Sequence, residues 1–415
     1  MRAGGHCEPA PALPGELCCL KTNLRAKQWA EKYPELGTNS LPTEPYISEE
    51  HFALERERVF RRSWLNVGRV EEIPQAGDYF VRDIAISSAS VLVIRGTDGI
   101  VRGFHNVCSH RSNRLVADER GSCRGALFCR FHNWAYSDRG DLVRVPDEEN
   151  FYGLDKRDHG LTPVDTDIWQ GFIFVHLDPD PAETLRDYLG GAADRLDGCP
   201  FHEMKLLQAY RVEERANWKV ALDAQNELYH LPYQHRWTLG DTFAKNDTGN
   251  CRFKEVILYN YHSFWSVDYR SFQDLTPLKI ALFVRGENDG AFRLPNMTGD
   301  MDHYLLFPNS IISLFEVGRW TGCITYTLWP VAIDRTIWEI RMHFSAPPTR
   351  RERLQQEYFK CLLRDTLQED TAAHESVHAG IASRVRTHLI LQDNELPIRH
   401  FHKVLGDYAG YGGRA

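Results

Sequence analysis

Two short segments carry the residue types best suited to redox chemistry. Cys108-Ser109-His110-Arg111 and Cys129-Arg130-Phe131-His132 each place one thiol and one imidazole in a single loop. Two thiolates and two neutral imidazoles form the ligand set of a [2Fe–2S] centre in which both histidines hold the same iron. Neutral imidazole in place of thiolate removes negative charge from that iron and raises the reduction potential. Such a centre accepts electrons from a low-potential carrier and passes them on. The competing reading is a Cys₂His₂ zinc site. Zinc sites of that kind usually pair cysteine with cysteine and histidine with histidine, whereas here each loop supplies one of each. The intervening segment also carries Gly121 and Gly125, as two separate ligand loops require.

A second constellation follows in Glu227-Leu228-Tyr229-His230-Leu231-Pro232-Tyr233-Gln234-His235. Glu227 and His230 are three apart, so a helix through both puts them on one face. His230 and His235 would diverge on a regular helix, but Pro232 disrupts the turn and lets His235 swing back. Two histidines and a distant carboxylate make the facial triad that binds non-haem Fe(II) and leaves positions open for O₂. By residue type, Asp365, Glu369, Asp370 and Glu375 are all candidates for that carboxylate. Taken alone, two such histidines are more often packed or solvated than metal-binding; their place downstream of the cluster motif is what points to metal.

These residues need scaffolds of two kinds. Ser48–Arg62 reads as a helix capped by Ser48, with Glu49 and Glu50 in its first turn. From Trp64 the pattern changes to short β-prone runs, at Trp64–Val70, Asp78–Val81, Ser90–Arg95 and Ile100–Val107, then Ala126–Cys129, Ala135–Tyr136 and Gly171–Leu177. They describe a small antiparallel β domain that ends at Asp178-Pro179-Asp180-Pro181. Beyond it come helices at Glu183–Leu189 and Trp218–Tyr229. Long β-prone runs follow (Phe253–Tyr269, Tyr304–Phe315, Gly322–Trp329, Thr336–Phe344), then a helix from Thr349 to about Ser383 and a last strand at Arg399–Val404. The expected organisation is a loose arm over residues 1–45, a cluster domain over 46–180 whose leading helix packs on the next domain, and a catalytic domain over 181–415.

The chain has 415 residues, 42% hydrophobic and 26% charged, with a formal net charge of −8. No basic run suggests nucleic acid or an anionic membrane as partner, and no apolar run spans a bilayer. Met1–Ala12 lacks the apolar stretch of a signal peptide. A reducing cytoplasm is the expected location, with most of the ten cysteines as thiols or metal ligands.

The stretch from Cys108 to Leu142 resembles the Rieske domain of the ring-hydroxylating oxygenases. The matching residues are the two ligand loops, then Asn133, Trp134, Tyr136 and Gly140, with one or two extra residues near Asp118–Cys123. With the second site, the resemblance extends from about Leu41 to Gly413 and to the family's large, catalytic (alpha) subunit. It implies an α+β fold: a Rieske β domain followed by a helix-grip domain, an antiparallel sheet wrapped over the long C-terminal helix. Glu369-Asp370 followed by Val377-His378-Ala379-Gly380 is similar to the family's acid–aspartate segment and implies Asp370 as third iron ligand, with His378 where glutamine is usual. The resemblance also implies a role for Glu227, a position more often aspartate. It would bridge His230 to His132 of a neighbouring protomer and carry electrons or protons between the sites. Leu222-Asp223 departs from the family's usual Glu-Asn.

The function implied is that of a terminal oxygenase. Its cofactors are a [2Fe–2S] cluster on Cys108, His110, Cys129 and His132 and a mononuclear Fe(2+) on His230, His235 and Asp370. O₂ is co-substrate, and NAD(P)H is used indirectly through a partner reductase, with or without a ferredoxin. The assembly implied is a homotrimer, with or without a small beta subunit. The expected substrate is an aromatic or other hydrophobic small molecule, cis-dihydroxylated or mono-oxygenated. The alternative is demethylation of an amine or methoxy compound, towards which Glu227 leans. A non-catalytic electron carrier or binding module is the reading from another class. Phe264, Trp265, Phe307 and Phe315 could line a substrate cavity but are favoured as core.

Overall fold

The computed structural model of the protein describes residues 28–239, 242–246, 249–269, 294–317 and 319–411. A seven-stranded antiparallel sheet carries the first region. Its order is Leu65–Arg69, Phe172–His176, Pro163–Trp169, Val101–His105, Ala89–Arg95, Asp78–Ile84 and Arg120–Ser122. A three-stranded sheet of Leu127–Phe128, Ala135–Tyr136 and Leu142–Arg144 adjoins it. The strands Arg120–Ser122 and Leu142–Arg144 escape a periodicity reading because they are only three residues long, and Pro163–Trp169 because Asp165, Thr166 and Asp167 interrupt its apolar positions.

The helix expected at Ser48 forms at Glu49–Leu54, and the Ser48 hydroxyl accepts the His51 N–H. It continues as a wider turn over Glu55–Phe60. Glu55 reaches from there into the second region, accepting from Trp218 Nε1 at 2.8 Å and Lys219 Nζ at 2.6 Å. Residues 1–27 of the expected arm lie outside the described residues. In the rest of the arm Trp29 is buried and its backbone N–H donates to Asp393, while most of residues 31–42 are exposed. Leu41–Pro42 pairs with His388–Leu389.

The second region holds another seven-stranded antiparallel sheet. Its order is Lys205–Glu214, Arg335–Phe344, Trp320–Ala332, Ser310–Val317, Met301–Leu306, Ser263–Val267 and Glu255–Leu258. Two runs read as continuous break into hairpins, at Asn260 and at Phe307-Pro308-Asn309, where turn residues interrupt the pattern. The helix Arg350–Ala382, capped by the Thr349 hydroxyl on Arg351 N–H, lies against this sheet. Its buried positions include Leu363, Thr366, Leu367, Asp370, His374, His378 and Ile381. They recur every three or four residues, as one buried stripe requires. The buried face is polar at Glu352, Gln355 and Gln356, mostly apolar from Leu363 to Leu367, and polar again at Asp370, His374 and His378. Polar residues at core positions need a compensating role.

Arg399–Val404 is helical, not a strand. It belongs to Leu396–Ala409, which starts with Pro397 in its first turn and ends at Gly410 in the left-handed region (φ 75°). Six residues are too few to separate helical from alternating periodicity; Leu396, Phe401, Leu405 and Ala409, all buried, supply the helical spacing. One apolar core joins both regions, running from Val67 and Phe172 through Phe201 to Trp338. Glu339 anchors the same junction. It accepts from Arg82 Nη1 at 3.0 Å and Arg341 Nη2 at 2.9 Å, and Arg341 also pairs with Glu72. Burial alone would raise the Glu339 carboxyl, but Arg82, Arg341 and Arg211 pull it down to about 2.

Candidate metal centres

The two ligand loops repeat one another. Cys108 N–H donates to Asn113 O at 2.8 Å and Ser112 N–H to Cys108 O at 3.0 Å. Cys129 N–H donates to Trp134 O at 2.8 Å and Asn133 N–H to Cys129 O at 2.9 Å. Ser112 and Asn133, at matching places, are left-handed at φ 55° and 60°, where asparagine is several-fold enriched. Both cysteines are buried, while His110 and His132 are half-buried with ring centroids 4.6 Å apart. Trp134 stacks on His110 at 4.8 Å. His110 Nδ1 is buried without a hydrogen-bond partner, as suits a nitrogen that donates its lone pair to a metal.

Hydrogen bonds converge on the sulfurs. Tyr136 Oη lies 3.1 Å from Cys108 Sγ, and Asn113 Nδ2 donates to Cys129 Sγ at 3.5 Å. Burial pushes both thiols up. At Cys129 the backbone N–H groups of Phe131 and His132, aided by Cys108 and Asn113, reverse this and hold it below its usual range. Cys108 stays above its own, despite Tyr136 and the His110 N–H. Donors to sulfur favour the thiolate and tune the potential of a cluster held there. The donor set fits a [2Fe–2S] cluster.

The second site is made where a helix stops. Asn217 caps Trp218–Gln225, which ends four residues before the expected Tyr229. Asn226 Nδ2 turns back to Leu222 O at 3.0 Å. Glu227 Oε2 then accepts the N–H groups of Tyr229 and His230, the latter at 3.1 Å, while Oε1 meets His230 Nδ1. Glu227 and His230 therefore meet through a turn of the chain past the helix end, not along a shared helix face. Pro232 opens the next turn, Leu231–Gln234, instead of breaking one. His230 and His235 flank that turn, with Nε2 atoms 3.2 Å apart.

Asp370 comes from the facing helix, buried, with Oδ1 at 2.9 Å from His235 Nε2 and 3.8 Å from His230 Nε2. Ligand atoms of these three residues all lie within 4.8 Å of one another. Burial depresses the His230 imidazole, but Glu227, then Asp370 and Glu395, raise it above its ordinary value. Burial likewise raises Asp370, and His235, His230 and His374 overcome it. The other candidates are elsewhere: Asp365 pairs with Arg364 and Glu375 with Arg215. Glu369 has a different part, overlooked in the sequence because it neighbours Asp370. Its Oε2 meets His235 Nδ1 at 2.8 Å. Each histidine thus has a carboxylate on Nδ1, which fixes its tautomer and leaves Nε2 as acceptor. With both imidazoles neutral, two Nε2 lone pairs and a carboxylate oxygen converge. That arrangement suits a cation.

Gln225 Nε2 steadies Asp370 Oδ2 at 3.2 Å. Asp223, at the unusual position, is used away from the triad, accepting from Tyr46 Oη at 2.5 Å and facing His402 Nε2 at 3.0 Å. Beside the triad opens a cavity lined by Phe243, Trp265, His303, Phe315, Tyr326 and Phe359, among others. Of the four aromatic residues favoured as core, Phe264 and Phe307 stay there, while Trp265 and Phe315 line the cavity. Burial cannot separate the two roles, since all four are buried. No described helix is long and apolar enough to cross a membrane.

Comparisons with known proteins agree with this layout. Residues 63–163 match the Rieske [2Fe-2S] domain, and residues 201–410 match the ring hydroxylating alpha subunit (catalytic domain). The carnitine monooxygenase oxygenase subunit of Escherichia coli (strain K12) is 32% identical over 246 residues, 54% of this chain and 65% of that protein. The chain thus spans just under two thirds of that relative's length. The glycine betaine monooxygenase oxygenase subunit of Pseudomonas aeruginosa is 32% identical over 324 residues, 72% of each chain. A solved quaternary ammonium Rieske monooxygenase shares the fold with a TM-score of 0.72 at 22% identity, over 89% of this chain and 95% of its own.

Proposed function

Since the chain belongs to the family of ring-hydroxylating oxygenase alpha subunits, with a Rieske [2Fe-2S] domain ahead of the catalytic one, we propose that it is a terminal oxygenase that mono-oxygenates and dealkylates a small amine. Cys108, His110, Cys129 and His132 would hold the cluster, and His230, His235 and Asp370 the mononuclear iron. When bound, the cluster supplies electrons singly and the iron supplies O₂ activation. The observation that carries the reading is the convergence of His230 Nε2, His235 Nε2 and Asp370 Oδ1 beside an aromatic-lined cavity. The relatives named for carnitine and glycine betaine, with Glu227, favour an amine over a plain aromatic hydrocarbon. Aromatic faces accept a methylated ammonium group by cation–π attraction. Dihydroxylation of an aromatic ring is the second reading, supported by the same lining.

The residues act in concert. Glu227 and Glu369 hold the two imidazoles in the tautomer that points Nε2 inward, and Gln225 orients Asp370. The aromatic walls exclude bulk water from the oxidising site. Glu227, which also borders that cavity, faces a second hollow with Glu395 and His374. We place there the contact with His132 of a neighbouring protomer, in a head-to-tail ring that a homotrimer closes. The partners proposed are an NAD(P)H-dependent reductase, with or without a ferredoxin, and the location proposed is the cytoplasm. The test is O₂ uptake with a surrogate reductase, dependent on a methylated amine and followed by identification of the dealkylated product. A preparation loaded with about three irons per chain that oxidises no amine would overturn the substrate class.

A further inference from the structure

Among the buried side-chain atoms without a hydrogen-bond partner are His303 Nε2 and Trp265 Nε1. Both rings line the cavity that also holds His230, His235 and Asp370. They are 2% and 3% exposed. A buried polar group left unpaired is costly, so each such group calls for an explanation. Here register supplies one. Trp265 pairs directly with His303 across neighbouring strands, and His303 pairs with Ser313 on the next. Residues opposite one another in a sheet share a face. The three form one row across the sheet wall, and Ile324 continues it. The Trp265 and His303 rings are stacked, 4.3 Å apart and 13° from parallel.

The hydrogen-bonding character of the row follows from its parts. Ser313 Oγ lies 2.8 Å from His303 Nδ1. A serine hydroxyl always has a proton to donate, and Nδ1 is the acceptor it has among the described residues. With Ser313 Oγ donating to Nδ1, the ring proton sits on Nε2. Burial pushes His303 down to about 3, so the ring is neutral. Trp Nε1–H can only donate. The row thus carries two adjacent N–H donors, both buried without a partner. Among the described lining residues there is no Lys or Arg, so an anion seated there would lack a counter-cation and be poorly desolvated.

We infer that Trp265 and His303, with Ser313 setting the histidine tautomer, form a specificity subsite for an uncharged oxygen acceptor of the substrate, a hydroxyl or carbonyl. The inference rests on the reading of the cavity as the oxygenase substrate site and goes beyond it, because it fixes which end of the substrate faces the sheet. The oxygen-bearing end docks on the row, leaving the opposite end towards His230, His235 and Asp370. A site built to hydrogen-bond a group discriminates strongly against an analogue lacking it, since its own donors are then left unpaired.

The test uses the loaded full-length enzyme with a surrogate reductase and three trimethylammonium probes of matched length. One ends in hydroxyl, one in carboxylate and one in methyl. The wild type is expected to favour the hydroxyl probe over the methyl probe by roughly 10- to 100-fold in kcat/KM, and over the carboxylate probe as well. His303→Leu should bring the hydroxyl-to-methyl ratio close to one. His303→Gln, which restores an N–H donor, should recover part of it, and Ser313→Ala should lower it by a smaller factor. Melting temperature and cluster absorbance show that each variant folds. A wild-type ratio near one, a ratio that survives His303→Leu, or preference for the carboxylate probe would overturn the subsite. If no ammonium probe is oxidised, the amine reading fails by itself. The ratio is then measured with benzyl alcohol against ethylbenzene, and the same outcomes decide the subsite.

Discussion

The cluster loops draw their four candidate ligands from one short stretch, Cys108 to His132, and each loop closes on its own backbone. The mononuclear site joins the end of one helix to the middle of another, with Asp370 presented by a helix held against the far sheet. The first site is half-exposed through its histidines and the bare Phe131 beside them. The second is walled by aromatic side chains and tuned by carboxylates on both imidazoles. The difference teaches that the two halves are built for unlike tasks. A centre that exchanges electrons with partners needs an edge near solvent and hydrogen bonds that set a potential. A centre that handles a reactive oxidant needs enclosure and fixed tautomers.

That contrast can be broken in order of expected effect. Asp370→Ala should abolish substrate oxidation, by 10³-fold or more on the scale of about 4 kcal/mol. It should reduce the iron content from about three to about two per chain, with the visible absorbance of the cluster intact. Full turnover by this variant would show that the triad is wrongly assigned.

Next comes the junction that holds the two regions together. Glu339 has a folded-state value near 2 against an ordinary 4.5, so its contribution is complete above pH 4.5 and lost as pH falls towards 2. A shift of that size corresponds to about 3 kcal/mol. Glu339→Gln should therefore lower the melting temperature at pH 7 and flatten its decline between pH 5 and pH 3. A variant whose acid profile matches wild type would remove Glu339 from the account.

Glu227→Gln is expected to cost roughly 10- to 100-fold in iron affinity or turnover, as losing a carboxylate behind a metal-binding histidine does. Single-turnover measurements on pre-reduced enzyme separate the two roles proposed for it. A slowed transfer with normal iron content supports the inter-subunit bridge, and iron loss alone confines Glu227 to holding His230. The smallest effect belongs to Tyr136→Phe. Removing the hydroxyl beside Cys108 Sγ should lower the cluster potential by roughly 65 to 130 mV, the one-electron equivalent of a hydrogen bond to a charged sulfur. An unchanged potential would mean that this hydroxyl serves Ser109 instead.

Much of this was legible before any fold was known. Cys108, His110, Cys129 and His132 announce themselves because their chemistry is local: a loop of six residues both contains the ligands and orients them. His230 and His235 were also visible as a pair. Among the four acids offered by type, residue chemistry left the choice open and family resemblance favoured Asp370. The structure gives the physical reason, since Asp370 alone is buried with an oxygen at both Nε2 atoms, while Glu369 serves the back of His235.

The rest was out of reach for identifiable reasons. The Glu227–His230 contact comes from a chain end turning on itself, which no periodicity encodes. Trp265 and Phe315 carry the same composition signal as Phe264 and Phe307, and only the side of the wall they face separates cavity from core. His303 gave no signal at all, being one histidine in an apolar strand. The amino-acid sequence by itself determined the ligand chemistry, the order of the two regions and the long helix, because these depend on residue type and short-range spacing. Only the tertiary structure decided which acid joins the histidines, which aromatics bound the cavity and how Trp265, His303 and Ser313 align. Those relations depend on strand register and on helices brought from distant parts of the chain, which spacing along the sequence does not constrain.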